Sequence, residues 1–565
     1  MGVALLLAFL YGCQSDKQAR SRSSETTARV GGAEQTGQTQ GGAHAEAQGG
    51  LGPKVQKIMN SSLYRYGEWG LLEVDPSDGH TVHALGPTDR MYIPGSATKL
   101  FTQSAALDHL GFGHRFKTPV YAQGEVNNGT LNGNLVLVAS GDLTMGGRTT
   151  PQGTVAYRPV DHTYANSLPG ATLTPENPLA GLNEIAQQVH KSGINRVDGN
   201  VVIDDRLFDR PTAGEMFADL DAGQTPNLAP WPYPITINDN LIDVEVAPGK
   251  VGEAPKVVKW RPRVAPYHLV MQAKTVAAGK STTLSVSPQT DGPVVVSGNI
   301  AADAGQQLRV AQIADPPAFA RTALIEALRR AEVSVSASPT GSNPSSELPK
   351  KGSYNSEDQV AAYQSLPLSQ YTKLILKVSH NYGANLNVCL MAVKAGSTDC
   401  NDAFPMMKSF LKKAGVDVEQ VALADGRGLD PVDQFSPNAV IEILHYWLKQ
   451  PHFNTFRKML PVMGVNGSLV AQGICRDCPA KGKVFAKTGT VGNDDLLNGR
   501  VIQAESLGGY LEVEPGRYNL FYVVENGAAV ANIEDSVKVF VDLANIGALL
   551  QEDASKQGEA SKSKH

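Results

Sequence analysis

The 565-residue sequence lacks any long block of like charge: 50 basic and 55 acidic residues are interspersed, for a formal net charge of −5. This excludes the basic stripe of a nucleic-acid-binding surface and argues against a polyanionic partner. No repeat at a fixed period is present, which excludes solenoids and propellers. The N-terminal apolar run, Val3 to Tyr11, is nine residues long, far short of the ~20 that a membrane-spanning helix needs but close to the core of a signal peptide. Cysteine is scarce, at five residues. Apart from Cys13, which adjoins the apolar run, the four others are Cys389, Cys400, Cys475 and Cys478. The Cys475 and Cys478 spacing is that of a redox pair or half a zinc site, but Cys389 and Cys400 lack the short spacing that would complete a four-cysteine zinc cluster. Two local disulfides in an oxidising compartment are the simplest account, and no metal or organic cofactor is expected.

What is present is bulk. With 41% hydrophobic and 19% charged residues over this length, the chain is long enough for one large core plus inserted domains. Residues 14–52, rich in Ser, Gly, Gln, Ala and Thr, cannot bury a core and are expected to be a disordered linker; residues 551–565 are expected to be a disordered tail. Between them, helical and strand patterns alternate. Ser96 to Leu110 reads as a helix stopped by Gly111. Asn128-Gly129, between the alternating runs Val120–Val126 and Leu131–Val138, reads as a hairpin turn. The apolar residues Leu182, Ile185, Ala186 and Val189 mark a helix. A Pro-rich, strand-prone stretch runs from about Asp209 to Ala314, and the Ser/Pro/Gly segment 336–353 reads as a domain boundary. The fold class is mixed α/β.

A serine hydroxyl is a poor nucleophile at neutral pH, so acyl-transfer enzymes set a base beside it. Ser96-Ala97-Thr98-Lys99 supplies one: positions i and i+3 share a helix face, which brings the Lys99 amine back to the Ser96 oxygen, and burial among cations would let it accept a proton. About two Ser-x-x-Lys strings are expected by chance in a chain this long; Ser409 to Lys412 and Ser561 to Lys564 are the decoys. Ser96 is set apart by its place at the opening of a helix and by two companions downstream. Ser379-His380-Asn381 is the first: the Ser379 hydroxyl is suited to relaying a proton and the Asn381 amide to holding a peptide carbonyl. Lys487-Thr488-Gly489-Thr490, the only Lys-Thr-Gly in the chain, is the second. It would form a strand wall on which Thr488 and Thr490 grip a carboxylate and Gly489 admits close approach. The backbone N–H groups of Ser96 and Thr490 would make an oxyanion hole, at roughly 3 kcal/mol per donor.

In the order and number of these motifs the chain resembles the penicillin-interacting serine enzymes. The 283 positions from Ser96 to Ser379 and the 108 from there to Lys487 narrow the resemblance to low-molecular-mass class C penicillin-binding proteins, D-alanyl-D-alanine carboxypeptidase/endopeptidases. The strings Ala139–Thr144, Asp198–Asp204, Ile237–Asn240 and Asp425–Leu429 are similar to that family's as well. The resemblance implies a penicillin-binding transpeptidase-like domain, an antiparallel sheet flanked by helices, at 53–113 and 354–550. It also implies two nested, strand-rich insertions, at 114–208 with 301–353 and at 209–300. It implies acylation of Ser96 by peptidoglycan stem peptides or β-lactam antibiotics, and contact of Asp204 with the amino group of a stem-peptide side chain. Departures are His380 where Asp or Asn is usual, Arg427 where Ser is usual, and a segment Gly492–Gly508 that reads as a longer loop and, with Arg427, is expected to tune substrate preference. Leu10-Tyr11-Gly12-Cys13 looks like the lipobox of bacterial lipoproteins, so residues 1–13 would be a signal peptide with lipobox, cleaved just before Cys13. Cys13 would then carry a lipid, the protein's one link to a membrane, in the periplasm or cell envelope. The competing readings are a β-lactamase or esterase on the same triplet, marked by fast nitrocefin turnover, and a noncatalytic envelope-binding protein, marked by failure of Ser96 to acylate.

Overall fold

The computed structural model describes residues 50–562 apart from 210–231, 289–291, 471–472, 476, 496 and 498. The N-terminal apolar run, Cys13 and nearly all of the expected linker lie outside the described residues. Among the described residues no helix is long and apolar enough to cross a membrane.

The core is an antiparallel sheet built from both ends of the chain. Its order runs Val484–Asp495, Gly499–Glu514, Arg517–Asn526, Glu68–Val74, Thr81–Leu85, with Ala528–Val530 paired to Gly499–Glu514. Strand Arg517–Asn526 is buried along its middle on both faces, and the period of two decides which side each residue serves. Leu520, Tyr522 and Val524 join a cluster with the helices Lys99–Leu110, Leu368–Val378, Asn381–Lys394 and Pro437–Leu448. Phe521 and Val523 join another with Ile533–Lys562 and Pro53–Met59. A sheet covered on both faces is what holds the strand ends in fixed register beside the helices.

The chain leaves this core after Lys99–Leu110 and returns at Leu368–Val378. The excursion opens on the hairpin Lys117–Asn127 and Thr130–Val138, where Asn128 and Gly129 both take positive φ (49° and 76°), as a two-residue turn matched to strand twist requires. Val201–Asp204 adds in parallel and Gln359–Gln364 antiparallel. The helices Ala180–Lys191 and Pro316–Arg330 cover this sheet, the former burying Leu182, Ile185, Ala186 and Val189. Within the excursion, Leu241–Ala247 lies between Lys256–Arg261 and Gln307–Gln312, beside a second three-stranded sheet of His268–Met271, Ser285–Pro288 and Pro293–Ser297.

Four expectations are corrected. The nested unit does not end at residue 300, because Gln307–Gln312 pairs with Leu241–Ala247 over its whole length. The first insertion does not end at 353, because Gln359–Gln364 completes its sheet. Segment Gly492–Gly508 is no loop but the outward continuation of a hairpin, with Gly492 opposite Ile502 and Asp495 opposite Gly499. Residues 551–562 are no frayed tail: the helix Ile533–Lys562 continues through them, while 563–565 lie outside the described residues. There Gln551 is buried and donates from Nε2 to the Glu512 carbonyl and Ser555 Oγ, and Ala554 packs inward. Disulfides join Cys389 to Cys400 and Cys475 to Cys478.

Candidate active site

Three glycines from separate segments let three backbones converge around Ser96. Gly95, at φ 55°, would place a Cβ 2.8 Å from Thr490 N. A Cβ on Gly489 would overlap the Pro94 carbonyl oxygen, and one on Gly428, at φ 91°, the Gly95 carbonyl oxygen. Backbone contact this close leaves no room for a Cβ, so each position requires glycine. The result is a 3₁₀ turn, Gly95–Thr98, seated directly on strand Val484–Asp495 and fastened by Ser506 Oγ donating to Pro94 O at 2.6 Å. Ser96 is 8% exposed. The helix begins at Lys99, three residues later than its sequence pattern indicates, because the nucleophile turn is wound tighter.

Lys99 is fully buried. Its Nζ lies 2.8 Å from Ser96 Oγ, 2.7 Å from Asn381 Oδ1 and 2.9 Å from the Arg427 carbonyl. Of these three partners, the amide and carbonyl oxygens only accept, so only the Ser96 hydroxyl can give a proton. Ser379 ends the helix Leu368–Val378 in left-handed conformation, φ 60°, and Asn381 opens the next helix. This break aims the Ser379 hydroxyl at Lys487, whose Nζ donates to it at 2.9 Å and to the Thr488 carbonyl at 2.6 Å. Burial holds the Lys487 ammonium well below the ordinary lysine range, and the Lys99 charge lowers it further against the opposing pull of Glu505. Two lysine–serine pairs therefore face one another from the two sides of the site, each within proton-transfer reach.

The wall beyond them is Thr488 and Thr490. Thr488 Oγ1 is 2.9 Å from Ser468 Oγ, and Thr490, exposed to solvent, is 3.1 Å from Glu505 Oε1. The structure thus brings Ser96, Lys99, Ser379, Asn381, Lys487, Thr488, Gly489 and Thr490 together. Asp204 is instead occupied: Arg206 donates to both its oxygens at 2.8 Å and Tyr354 at 2.6 Å. Arg427 adds no free charge to the cleft either, since its guanidinium turns back onto Asp425 at 2.8 Å while its carbonyl serves Lys99. The decoy Ser409 is exposed and donates to Pro405 O within its own helix.

Behind the Ser379 turn lies a buried charge network assembled from segments far apart in the chain, which no spacing in the sequence marks. His380 accepts the Gly383 N–H at Nδ1, so its Nε2 holds the proton and meets Asp239 Oδ1 at 3.2 Å. Asp239 also receives Arg148 and His162 at 2.7 Å. Asp243 receives His162 Nδ1 at 2.6 Å and Arg261 at 2.9 Å, and Arg148 also binds Asp161 at 2.7 Å. Burial alone would lower His162, but the Asp243 and Asp161 carboxylates push it up to about 10. Asn240, the next residue, donates to Tyr382 OH at 3.0 Å.

Residues 74–544 match the D-Ala-D-Ala carboxypeptidase 3 (S13) family. A D-alanyl-D-alanine carboxypeptidase from an Actinomadura species is 26% identical over 76% of this chain and 74% of its own length. The D-alanyl-D-alanine carboxypeptidase DacB of Haemophilus influenzae is 22% identical over 79% and 83%. The crystal structure of penicillin binding protein 4 (dacB) from Haemophilus influenzae shares the fold, with a TM-score of 0.65 and 20% identity over 88% of this chain and 99% of that one.

Proposed function

The chain belongs to the D-Ala-D-Ala carboxypeptidase 3 (S13) family and is a serine D-alanyl-D-alanine carboxypeptidase; from that premise we propose how its residues divide the work on peptidoglycan stem peptides. Ser96 Oγ attacks the carbonyl of the D-Ala-D-Ala bond as its proton passes to neutral Lys99. The C–N bond breaks, D-alanine leaves with the proton that Lys99 took up, relayed through Ser379, and water then hydrolyses the ester, giving its proton to Lys99, from which Ser96 Oγ recovers it. Cross-link cleavage follows the same steps with a different leaving amine. Lys487, Thr488 and Thr490 take the terminal carboxylate, and the N–H groups of Ser96 and Thr490 take the oxyanion. The observation that carries the reading is the buried Lys99 amine 2.8 Å from the Ser96 hydroxyl, which can give it a proton where the Asn381 and Arg427 oxygens beside it cannot.

β-Lactams are expected to acylate the same serine. Intact-mass analysis after incubation with benzylpenicillin should find one drug per chain; an unmodified mass with intact drug would remove the enzyme reading, and an unmodified mass with hydrolysed drug would turn it into a β-lactamase.

The same reading includes a cell-envelope location with Cys13 as the lipidated residue, supported by the apolar run that ends beside it and by the two disulfides. Mass spectrometry of the mature N-terminus should find a diacylglycerol on Cys13; a mature chain that begins elsewhere or lacks the lipid rules the anchor out.

A further inference from the structure

A row of polar side chains crosses the core sheet away from the site. Thr490 stands directly opposite Glu505, Glu505 opposite Glu525, and Glu525 opposite Trp69, on four adjacent strands. Directly opposed residues share a face, and this is the face under helix Ile533–Lys562 that carries Leu507, Phe521 and Val523. Glu505 is 1% exposed and Glu525 is 0% exposed. Among the described residues neither forms an ion pair with a cation, and Glu505 Oε2 and both Glu525 carboxyl oxygens lack a hydrogen-bond partner. Two carboxyl groups so placed cannot both be ionised at neutral pH without a large desolvation and repulsion cost.

The direction of one hydrogen bond follows from that. If Glu505 were a carboxylate, the Thr490 hydroxyl would have to donate to it, leaving only lone pairs for the cleft and a negative charge behind the wall. Both would repel a substrate carboxylate. With Glu505 neutral, its own O–H can donate to Thr490 Oγ1, and the Thr490 hydrogen is released toward the cleft. We propose that Glu505 is a positioning residue that stays protonated and thereby turns Thr490 into a donor for the terminal carboxylate of the substrate. The inference rests on the reading of Thr490 as part of the carboxylate-binding wall.

Burial, and after it the Glu525 charge, raise the Glu505 carboxyl well above its ordinary range against the Thr490 hydrogen bond and Lys487, and burial pushes Glu525 up to about 8. The charged and titratable groups facing the pair are Lys487 from the site strand, Tyr64 from the N-terminal segment and Asp542 from the C-terminal helix, the last accepting Tyr64 OH at 2.7 Å. As pH rises and Glu505 ionises, Thr490 is recaptured and KM for a substrate with a free carboxylate should climb.

The test is release of D-alanine from a D-Ala-D-Ala stem-peptide mimic, with kcat and KM followed separately from pH 6 to 10, for the full chain and for Glu505→Gln and Glu505→Leu. The wild-type KM is expected to rise on the alkaline side. Glu505→Gln, whose amide donates at every pH, should lose that rise except for the part owed to Lys487. Glu505→Leu, which removes a buried acid with no ion-pair partner among the described residues and so endangers folding least, should raise KM about tenfold even at pH 6, the scale of one hydrogen bond to a charged group. KM profiles of wild type and Glu505→Gln that superimpose, or a Glu505→Leu KM equal to wild type at pH 6, overturn the proposal. Wild type that releases no D-alanine at any pH overturns the functional reading, and the proposal with it.

Discussion

Ser96→Ala is expected to lower D-alanine release by roughly a millionfold, the scale on which losing a serine nucleophile lowers kcat in another acyl-transfer enzyme, and to remove the benzylpenicillin adduct altogether. The reason is local. The Ser96 hydroxyl, 2.8 Å from Lys99 Nζ, is able to give it a proton, and alanine takes that group away while leaving Asn381 Oδ1 and the Arg427 carbonyl in place. The methyl group fits where the hydroxymethyl stood, in a turn fixed by backbone contacts of Gly95, Gly489 and Gly428, so the melting temperature should stay near that of wild type. Loss of the adduct at an unchanged melting temperature separates a missing nucleophile from a collapsed site. A Ser96→Ala chain that still acquires one drug per molecule would place the nucleophile elsewhere, and peptide mapping would find it.

Asp239→Ala is expected to destabilise the protein by about 3–5 kcal/mol, because removing one member of a buried ionic cluster leaves the others uncompensated. Three carboxylates, Asp161, Asp239 and Asp243, face Arg148, Arg261 and protonated His162, with His380 neutral between Gly383 and Asp239. Without Asp239, Arg148 keeps only Asp161, and His162 keeps Asp243 with Asp161 farther off at 3.8 Å. Asp198→Ala is the control, since its ion pair with Arg196 is about half exposed and solvent screening leaves such a pair little weight in stability. The pH dependence has a definite sign. The folded His162 value of about 10 lies above the roughly 6.5 of an unfolded histidine. Its contribution is therefore complete below the unfolded value and is lost as pH rises from there through about 10. Thermal melts should show wild type losing stability over that window and Asp239→Ala losing less. Equal melting temperatures for Asp239→Ala and Asp198→Ala would mean that the cluster does not act as a charged unit. Because Asp239, at φ 54°, lies between Asn238 and Asn240 in the same left-handed conformation, and Asp and Asn tolerate it better than most residues, Asp239→Asn isolates charge from backbone strain.

Much of the site could be read along the chain. Ser96 and Lys99 are three residues apart, Lys487 to Thr490 are consecutive, and Ser379 and Asn381 flank a single residue, so spacing alone states which groups travel together. Turn chemistry was equally local: Asn128-Gly129 specifies its hairpin whatever surrounds it. The departures at His380 and Arg427 were visible as departures, but their consequences were not. Arg427 spends its side chain on Asp425 and gives the site its carbonyl, a group every residue has and no sequence pattern marks. Asp204, chosen for its place after a Gly-Asn strand, is satisfied by Arg206 two residues on and by Tyr354.

The sequence by itself determined the proposed chemistry: which residues are proposed as nucleophile and bases, in what order, and an insertion long enough to separate the first motif from the second. Those properties reside in residue type and short spacing, where helix and strand geometry leave little choice. Only the tertiary structure decided that Glu505 sits behind Thr490, that Asp239 braces His380 and that strands Gln307–Gln312 and Gln359–Gln364 belong to the insertions. Each of these depends on the register between segments distant in the chain. A one-residue slip in a strand pairing moves every side chain to the other face, and that register is set by the packing of whole faces against one another rather than by any residue within the strand.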